Sequence, residues 1–336
     1  MYRFKESNSM RRSFLMGPLD QALCLFSEVK RSVYKSSGGK CPEDYLYIMP
    51  IGGIGELILT CSQTHHLRNR PVCLLLPASR FWAVNLWPEA ADVFIQLEPI
   101  QVELLKHLED NSFLMPGHIY ISYVTWLAGG HLADKLIMHE KLFGFREAFA
   151  FGLGLPLNSE TAKPRLLNKP IPWKPSPNSV LIMPNANFTR KMPEEFWMQL
   201  ITDLLSQGRE VFCENFGSSP FRHPGVVNVQ TEVLDFISLA SLCGNVIMLR
   251  SGLSDLISAH SSQVPSLNLL ILWHLDASTV GTPLELWHSP GCSVGFPSSK
   301  SWFNCGNNVT DIEIDPLDES WRVAPGTKIQ PYLNKL

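Results

Sequence analysis

Five consecutive residues, Gly52-Gly53-Ile54-Gly55-Glu56, separate two apolar runs, YLYIMPI before them and LILT after. Three glycines in four positions permit a tight strand-to-helix turn in which backbone can approach a ligand closely. Two chemistries compete for such a turn. A dinucleotide fingerprint needs G-x-G-x-x-G between strand and helix, with an acidic residue about 20 positions later. The third glycine would fall at Leu57 or Ile58, and the next apolar run, PVCLLLPAS, ends without an acid for a ribose. What is left is Glu56 at a helix start, a carboxylate able to take a proton from an incoming hydroxyl as a general base. The plainer role of a first-turn Glu, stabilising the helix dipole by ~0.3–1 kcal/mol, stays open beside it.

Two further stretches could handle an anion. Pro184-Asn185-Ala186-Asn187-Phe188-Thr189-Arg190-Lys191 follows the apolar run VLIM and offers an amide and two adjacent cations, a set suited to phosphate. An ordinary polar loop would have the same composition. Arg250-Ser251-Gly252-Leu253-Ser254-Asp255 follows NVIML and opens a helix. Its first-turn amides, the hydroxyls of Ser251 and Ser254 and the fork of Arg250 predict a diphosphate site. The competing reading is an N-cap by Ser251 with Asp255 as a first-turn acid. The leucine-rich stretch VLDFISLASLC is expected to be core.

Metal chemistry has no support in the residue spacing. His65 and His66 are adjacent, His131, His139 and His260 are scattered, and no DxD sequence occurs. The eight cysteines form no CxxC pair, which argues against zinc and against a secreted disulfide framework. Reduced thiols acting as small hydrophobes are expected, with no cofactor and no metal.

These residues need elements to hold them. Short apolar runs (YLYIMPI, PVCLLLP, ADVFIQLEP, HIYISYVTW) alternate with helical stretches from Tyr45 onward, the rhythm of βαβ units and a parallel sheet. Residues 156–179 then hold six prolines and little periodicity, as an extended linker would. The rhythm restarts with VLIMP, REVFCEN, VVNVQ, NVIMLR and PSLNLLIL as strands. The fold class expected is α/β, with two Rossmann-like domains facing a cleft. The boundaries are an N-terminal leader helix at 1–44, a first domain at 45–155, the linker at 156–179, a second domain at 180–315 and a C-terminal segment at 316–336.

Bulk composition narrows the partners. The 336 residues carry a net charge of −3, are 45% hydrophobic and 18% charged, and give no broad basic face for nucleic acid. No run approaches the ~20 apolar residues that span a bilayer. Asp20 and Gln21 interrupt the N-terminal apolar stretch, which argues against a signal peptide. A cytoplasmic chain is expected. The basic residues Arg3, Lys5, Arg11 and Arg12 read as a solvated tail, with peripheral contact at the inner face of a membrane as the alternative.

In order and spacing, over roughly residues 45–275, these stretches resemble the heptosyltransferase family and, more loosely, bacterial glycosyltransferases of the two-Rossmann GT-B architecture. The carriers are the glycine turn with Glu56, the run from Pro184-Asn185-Ala186 through Lys191, Pro193 and Phe196, and Ser251-Gly252-Leu253. Glu56 stands where the family usually has Asp, and Arg250 where it often has an acidic residue or Asn. The resemblance implies that Glu56 deprotonates an acceptor hydroxyl. It also implies that Lys191, with Arg190, stabilises a leaving nucleoside diphosphate and that Ser251, Gly252 and Leu253 bind its phosphates. The implied partners are a nucleotide-sugar donor and a saccharide, lipid-linked or protein acceptor, in surface polysaccharide or glycoconjugate assembly. A catalytically inactive nucleotide-sugar-binding or assembly protein is the alternative, and an NAD-dependent oxidoreductase a more distant one.

Overall fold

Apolar runs without alternation leave neither face to water, so they form strands covered on both sides. The computed structural model describes residues 17–67, 69–108, 114–122, 149–150, 152–156, 159–167, 169–186, 192–215, 223–274, 309–314 and 318–333, and contains two such sheets. The chain divides into two units, residues 1–165 and 166–336.

In the first unit α1 (Pro18–Ser36) precedes β1 (Leu46–Pro50), α2 (Ile54–Thr64), β2 (Val72–Pro77), α3 (Ala83–Leu86), β3 (Val93–Leu97), α4 (Pro99–Leu105) and β4 (Ile119–Ser122). The strands are parallel in the order β3-β2-β1-β4. The central strand β1 is buried at every residue, whereas the edge strand β3 alternates buried with half-buried positions. The helix expected from Glu56 to about residue 69 begins at Ile54 and ends at Thr64.

Residues 18–36 are not the separate leader expected from the sequence. Ala22, Leu25, Phe26, Val29 and Val33 recur every one to four positions and make one apolar stripe of α1. That stripe closes the core over Tyr45, Tyr47, Met49, Cys73 and Ile95. Phe26 meets Tyr47 edge-on with ring centroids 5.0 Å apart. Lys30 pairs with Glu43 at 2.7 Å, and the Tyr47 hydroxyl donates to the Pro42 carbonyl at 2.9 Å.

The second unit contains β5 (Ser179–Met183), α5 (Glu194–Ser206), β6 (Glu210–Glu214), β7 (Val226–Val229), α6 (Val233–Cys243), β8 (Asn245–Leu249), α7 (Gly252–Ser261), β9 (Asn268–His274), β10 (Val309–Ile314), α8 (Glu319–Val323) and α9 (Pro325–Leu333). Its parallel sheet has the order β10-β9-β8-β5-β6-β7. Phe196, Trp197, Leu200, Ile201 and Leu204 form the buried face of α5, and Gly244, at φ 71°, turns α6 directly into β8.

Up to Ser179, where β5 begins, the proline-rich stretch has no helix or strand among its described residues, yet it is tied down. The Ala162 amide donates to the Ser62 carbonyl at 2.7 Å, and Trp87 Nε1 donates to the Ala162 carbonyl at 2.9 Å. In the second unit Lys169 reaches Asp235 at 2.5 Å. The C-terminal segment belongs to the second unit too. Ile329 and Leu333 of α9 enter the core beside α5, and the Gly326 amide donates to Asp203 at 2.9 Å. Trp287 and Trp302 lie outside the described residues. No helix among the described residues is long and apolar enough to cross a membrane.

The seating of α1 predicts that Phe26→Ala costs the first unit about 3 kcal/mol, as deletion of a buried aromatic ring does. Urea unfolding followed by tyrosine and tryptophan fluorescence measures it. An unchanged midpoint would restore the leader assignment.

Candidate functional site

Strand order decides where ligands can reach an open parallel sheet. In each unit the chain starts on an inner strand, winds outward to one side, then returns to the other. The reversal falls between β1 and β4 in the first unit and between β5 and β8 in the second. In open parallel sheets, a reversal of strand order is where loops at the carboxyl ends diverge and leave a crevice. The stretches singled out by residue type leave β1, β5 and β8 at these points.

At the first crevice Pro50 pairs with Ser122, and the Ile51 amide donates to the Ser122 carbonyl at 3.3 Å. Thr60 of α2 and Ser122 share a hydroxyl hydrogen bond of 2.9 Å. Gly53 is the extended N-cap of α2, which places Gly55 and Glu56 in the first turn. Glu56 is half-buried and folds back over the turn. A Cβ on Gly52 would stand 1.1 Å from Glu56 Oε2. Gly52 thus gives up its side-chain space to the carboxylate, a different reason for glycine from the ligand approach expected of the turn. Arg80, after β2, lies within electrostatic reach of Glu56. Residue types had not singled it out, although a lone Arg just past an all-apolar strand was visible.

At the second crevice Met183 pairs with Met248, so the loops opening with Pro184 and Arg250 start side by side. Asn185 Nδ2 donates to the Asn215 carbonyl at 2.5 Å. Asn185 also donates from side chain and backbone to Glu214, the last residue of β6. Burial nevertheless pushes the Glu214 carboxyl up to about 7, outweighing those two bonds. Glu214 was also overlooked; its signal was a carboxylate closing an apolar strand. Arg190 and Lys191 lie outside the described residues.

The expectation for Arg250 is corrected. Its guanidinium is buried, not presented as a fork for a diphosphate. Nη2 pairs with Asp255 Oδ1 at 2.7 Å, and Nη1 donates to Ser254 Oγ at 2.9 Å and to the Ser251 carbonyl at 2.6 Å. Ser254 and Asp255 are equally buried, so neither hydroxyl nor carboxylate is a donor contact. Ser251 is the N-cap: its hydroxyl accepts from the Ser254 amide at 3.3 Å, while Ser254 Oγ accepts from the Ser251 amide at 3.1 Å. The four residues form a clamp that fixes the start of α7. What this start offers a ligand is the first-turn amides of Gly252 and Leu253, which are half-buried.

His260, at the other end of α7, is a core residue held at 3.0 Å by Ser241 Oγ, and its burial lowers its pKa. Among the described residues no group of three or more His, Cys, Asp or Glu could hold a metal ion. The described cysteines are free thiols; burial raises those of Cys61 and Cys243 to about 12.

In sequence the chain matches no family model and no curated protein. In structure it is similar to E. coli heptosyltransferase WaaC with ADP, over 87% of this chain and 99% of that one, at 13% identity and a TM-score of 0.52. It is also similar to the iron-containing dodecameric glycosyltransferase TibC of enterotoxigenic E. coli, over 87% of this chain and 76% of that one, at 16% identity and a TM-score of 0.50. Likeness at these identities is one of fold, α/β with two Rossmann-like sheets of the GT-B type.

Breaking a buried ion pair leaves a lone charge in the interior. Asp255→Ala is therefore expected to cost about 3–5 kcal/mol, and the double change Arg250→Met with Asp255→Leu much less. Thermal unfolding of the two variants checks this; equal losses would remove the clamp. A second prediction concerns pH. The folded state binds the Glu214 proton more tightly than the unfolded chain does. Stability thus falls as pH rises from the ordinary carboxylate range towards 7, and Glu214→Gln is expected to remove that slope. Denaturation midpoints between pH 5 and 8 measure it.

Proposed function

We propose that the chain is a glycosyltransferase that moves a sugar from a nucleotide-sugar donor to a hydroxyl acceptor. The observation that carries the reading is the placement of two unlike chemistries at the two strand reversals. A carboxylate is seated at the first, and helix-start amides beside a cation-bearing loop sequence at the second. The fold supports it, being that of a heptosyltransferase solved with ADP.

In this reading the first domain, 45–155, takes the acceptor, and the second, 180–315, takes the donor, the two being joined through 156–179. Glu56 accepts the proton of the acceptor hydroxyl as its oxygen forms a bond to the anomeric carbon. The bond from that carbon to the diphosphate breaks. Negative charge then builds on the departing nucleoside diphosphate, and fixed donors placed there lower the barrier. Lys191 and Arg190 supply positive charge, and the amides of Gly252 and Leu253 supply dipoles. Pro184 and Asn185 shape the loop, while Arg250, Ser254 and Asp255 hold the α7 start without touching the donor. The acceptor is a saccharide, a lipid-linked or a protein hydroxyl in surface polysaccharide or glycoconjugate assembly, reached at the inner face of a membrane.

The buried Arg250 clamp also favours a second reading, a nucleotide-sugar-binding or assembly protein without turnover, since it withdraws side chains from the donor. One panel separates the two. Thermal shifts against ADP, GDP, UDP, CMP and NAD are expected to show one nucleoside diphosphate, since a ligand at 100 times its Kd stabilises by ~2.7 kcal/mol. A shift with NAD alone would sink the transferase. With the donor so identified, Glu56→Gln is expected to lower turnover by ~100-fold or more and leave donor affinity unchanged. Lys191→Ala is expected to weaken both. Binding without any turnover in the unaltered chain would favour the second reading.

A further inference from the structure

Ser122 closes β4 opposite the last residue of β1, and it makes two contacts of different kinds there. Its carbonyl accepts the Ile51 amide at 3.3 Å. Its hydroxyl meets the Thr60 hydroxyl at 2.9 Å, where either can donate. Ile51 and Thr60 are the two ends of a segment that holds the whole glycine turn and Glu56. One residue of β4 thus grips that segment at both ends.

The segment needs such a grip. A turn rich in glycine loses more backbone freedom on folding than other sequences do, so it is costly to fix from within. Gly53, the N-cap of α2, has no side chain to bond the first-turn amides. The restraint has to come from outside the segment. Thr60 follows Glu56 by four residues, so the two share one face of α2, a turn apart. Thr60 and Ser122 are 0% and 1% exposed, so water does not compete for the bond between them. A hydroxyl pair at this depth fixes a direction as well as a distance, which an apolar contact does not. At the other end Gly52, next to Ile51, leaves the volume that the Glu56 carboxylate takes.

We propose that Ser122 is a positioning residue: through Ile51 on one side and Thr60 on the other it staples the segment 51–60 to β4, and thereby fixes where the Glu56 carboxylate stands at the edge of the first sheet. The value of this for catalysis rests on the transferase reading, with Glu56 as the base; the staple itself does not. The carbonyl half sets the turn against the end of β4, and the hydroxyl half sets how far α2 can slide or roll against the same strand. Truncating the hydroxyl leaves the carbonyl half in place, so the two halves are separable. A base held in this way meets an acceptor hydroxyl without first having to order its own turn.

The test is carboxylate NMR and amide hydrogen exchange on the full ligand-free chain, labelled with ¹³C at glutamate Cδ, with the Glu56 resonance assigned by its loss in Glu56→Gln. Ser122→Ala and Thr60→Val each remove one hydroxyl. Both are expected to move the Glu56 resonance to the same new position, and the double variant to move it no further. Exchange of the 51–60 amides is expected to rise about fivefold, the factor that one ordinary hydrogen bond is worth, with β2 and β3 unchanged. Thr60→Ser keeps the hydroxyl and is expected to leave both readings as in the unaltered chain. A merely structural bond would lower the melting temperature and raise exchange throughout the sheet without moving the Glu56 resonance. That result overturns the proposal, as do separate, additive movements in the two single variants. Should Ser122→Ala fail to fold, Thr60→Val decides alone, since it keeps the shape of the side chain and leaves β4 untouched. Neither reading uses turnover or a nucleotide, so a failed transferase reading shows in the nucleotide panel and a failed staple shows here.

Discussion

Parallel strands covered on both faces impose one constraint from which the rest follows. Every strand interior is committed to packing: β1, β5 and β8 are buried at all positions and carry almost nothing but aliphatic, Met and Tyr side chains. Reactive groups can then stand only where strands end, and only carboxyl ends at a reversal of strand order open into a crevice. Glu56, Asn185 and the Ser251 cap all stand within a few residues of such an end, and Glu214 closes the neighbouring strand β6. A six-stranded and a four-stranded sheet obey the same rule, with each unit beginning on the strand beside which its own crevice forms.

Within that frame, charge at the second crevice is handled inwardly. Arg250 and Asp255 neutralise each other beneath the first turn of α7, and Ser251 and Ser254 hydrogen-bond to each other and to Arg250. The side chains set backbone geometry, and backbone amides face outward. At the first crevice the arrangement is reversed: the Glu56 side chain fills the turn, and a glycine backbone makes room for it. Two short polar stretches that look alike in sequence are therefore built in opposite ways.

Much of the fold was legible because βαβ units announce themselves as apolar runs closed by Pro, Gly or Asn. The strands from β1 to β9 follow those runs closely. What escaped depended on partners distant in sequence. The periodicity of α1 defines its apolar face but not the sheet it covers. The strand β10 reads VTDIEI, whose polar residues obscure a pairing with β9. At the candidate site the Arg250 stretch was misread by orientation. Arg250 and Asp255 are five residues apart, a spacing that announces no pair. Gly52 looked like an approach path for a ligand because its occupant, Glu56, lies four residues on. Arg80, just past β2, and Glu214, ending β6, were single charges with no motif around them.

The docking of α9 has a consequence for synthesis. The first unit is contiguous and has its core residues complete by the time residue 165 has emerged. The second core waits for Ile329 and Leu333, which cover α5 from the far end of the chain. At about 5–20 residues per second the ribosome spends some ~8–35 s between those two points. During that interval α5 has an apolar flank without its cover, while the first unit can already be folded. The two halves of one architecture thus mature on different clocks, and the later one is exposed for longest to chaperones, proteases and misassembly.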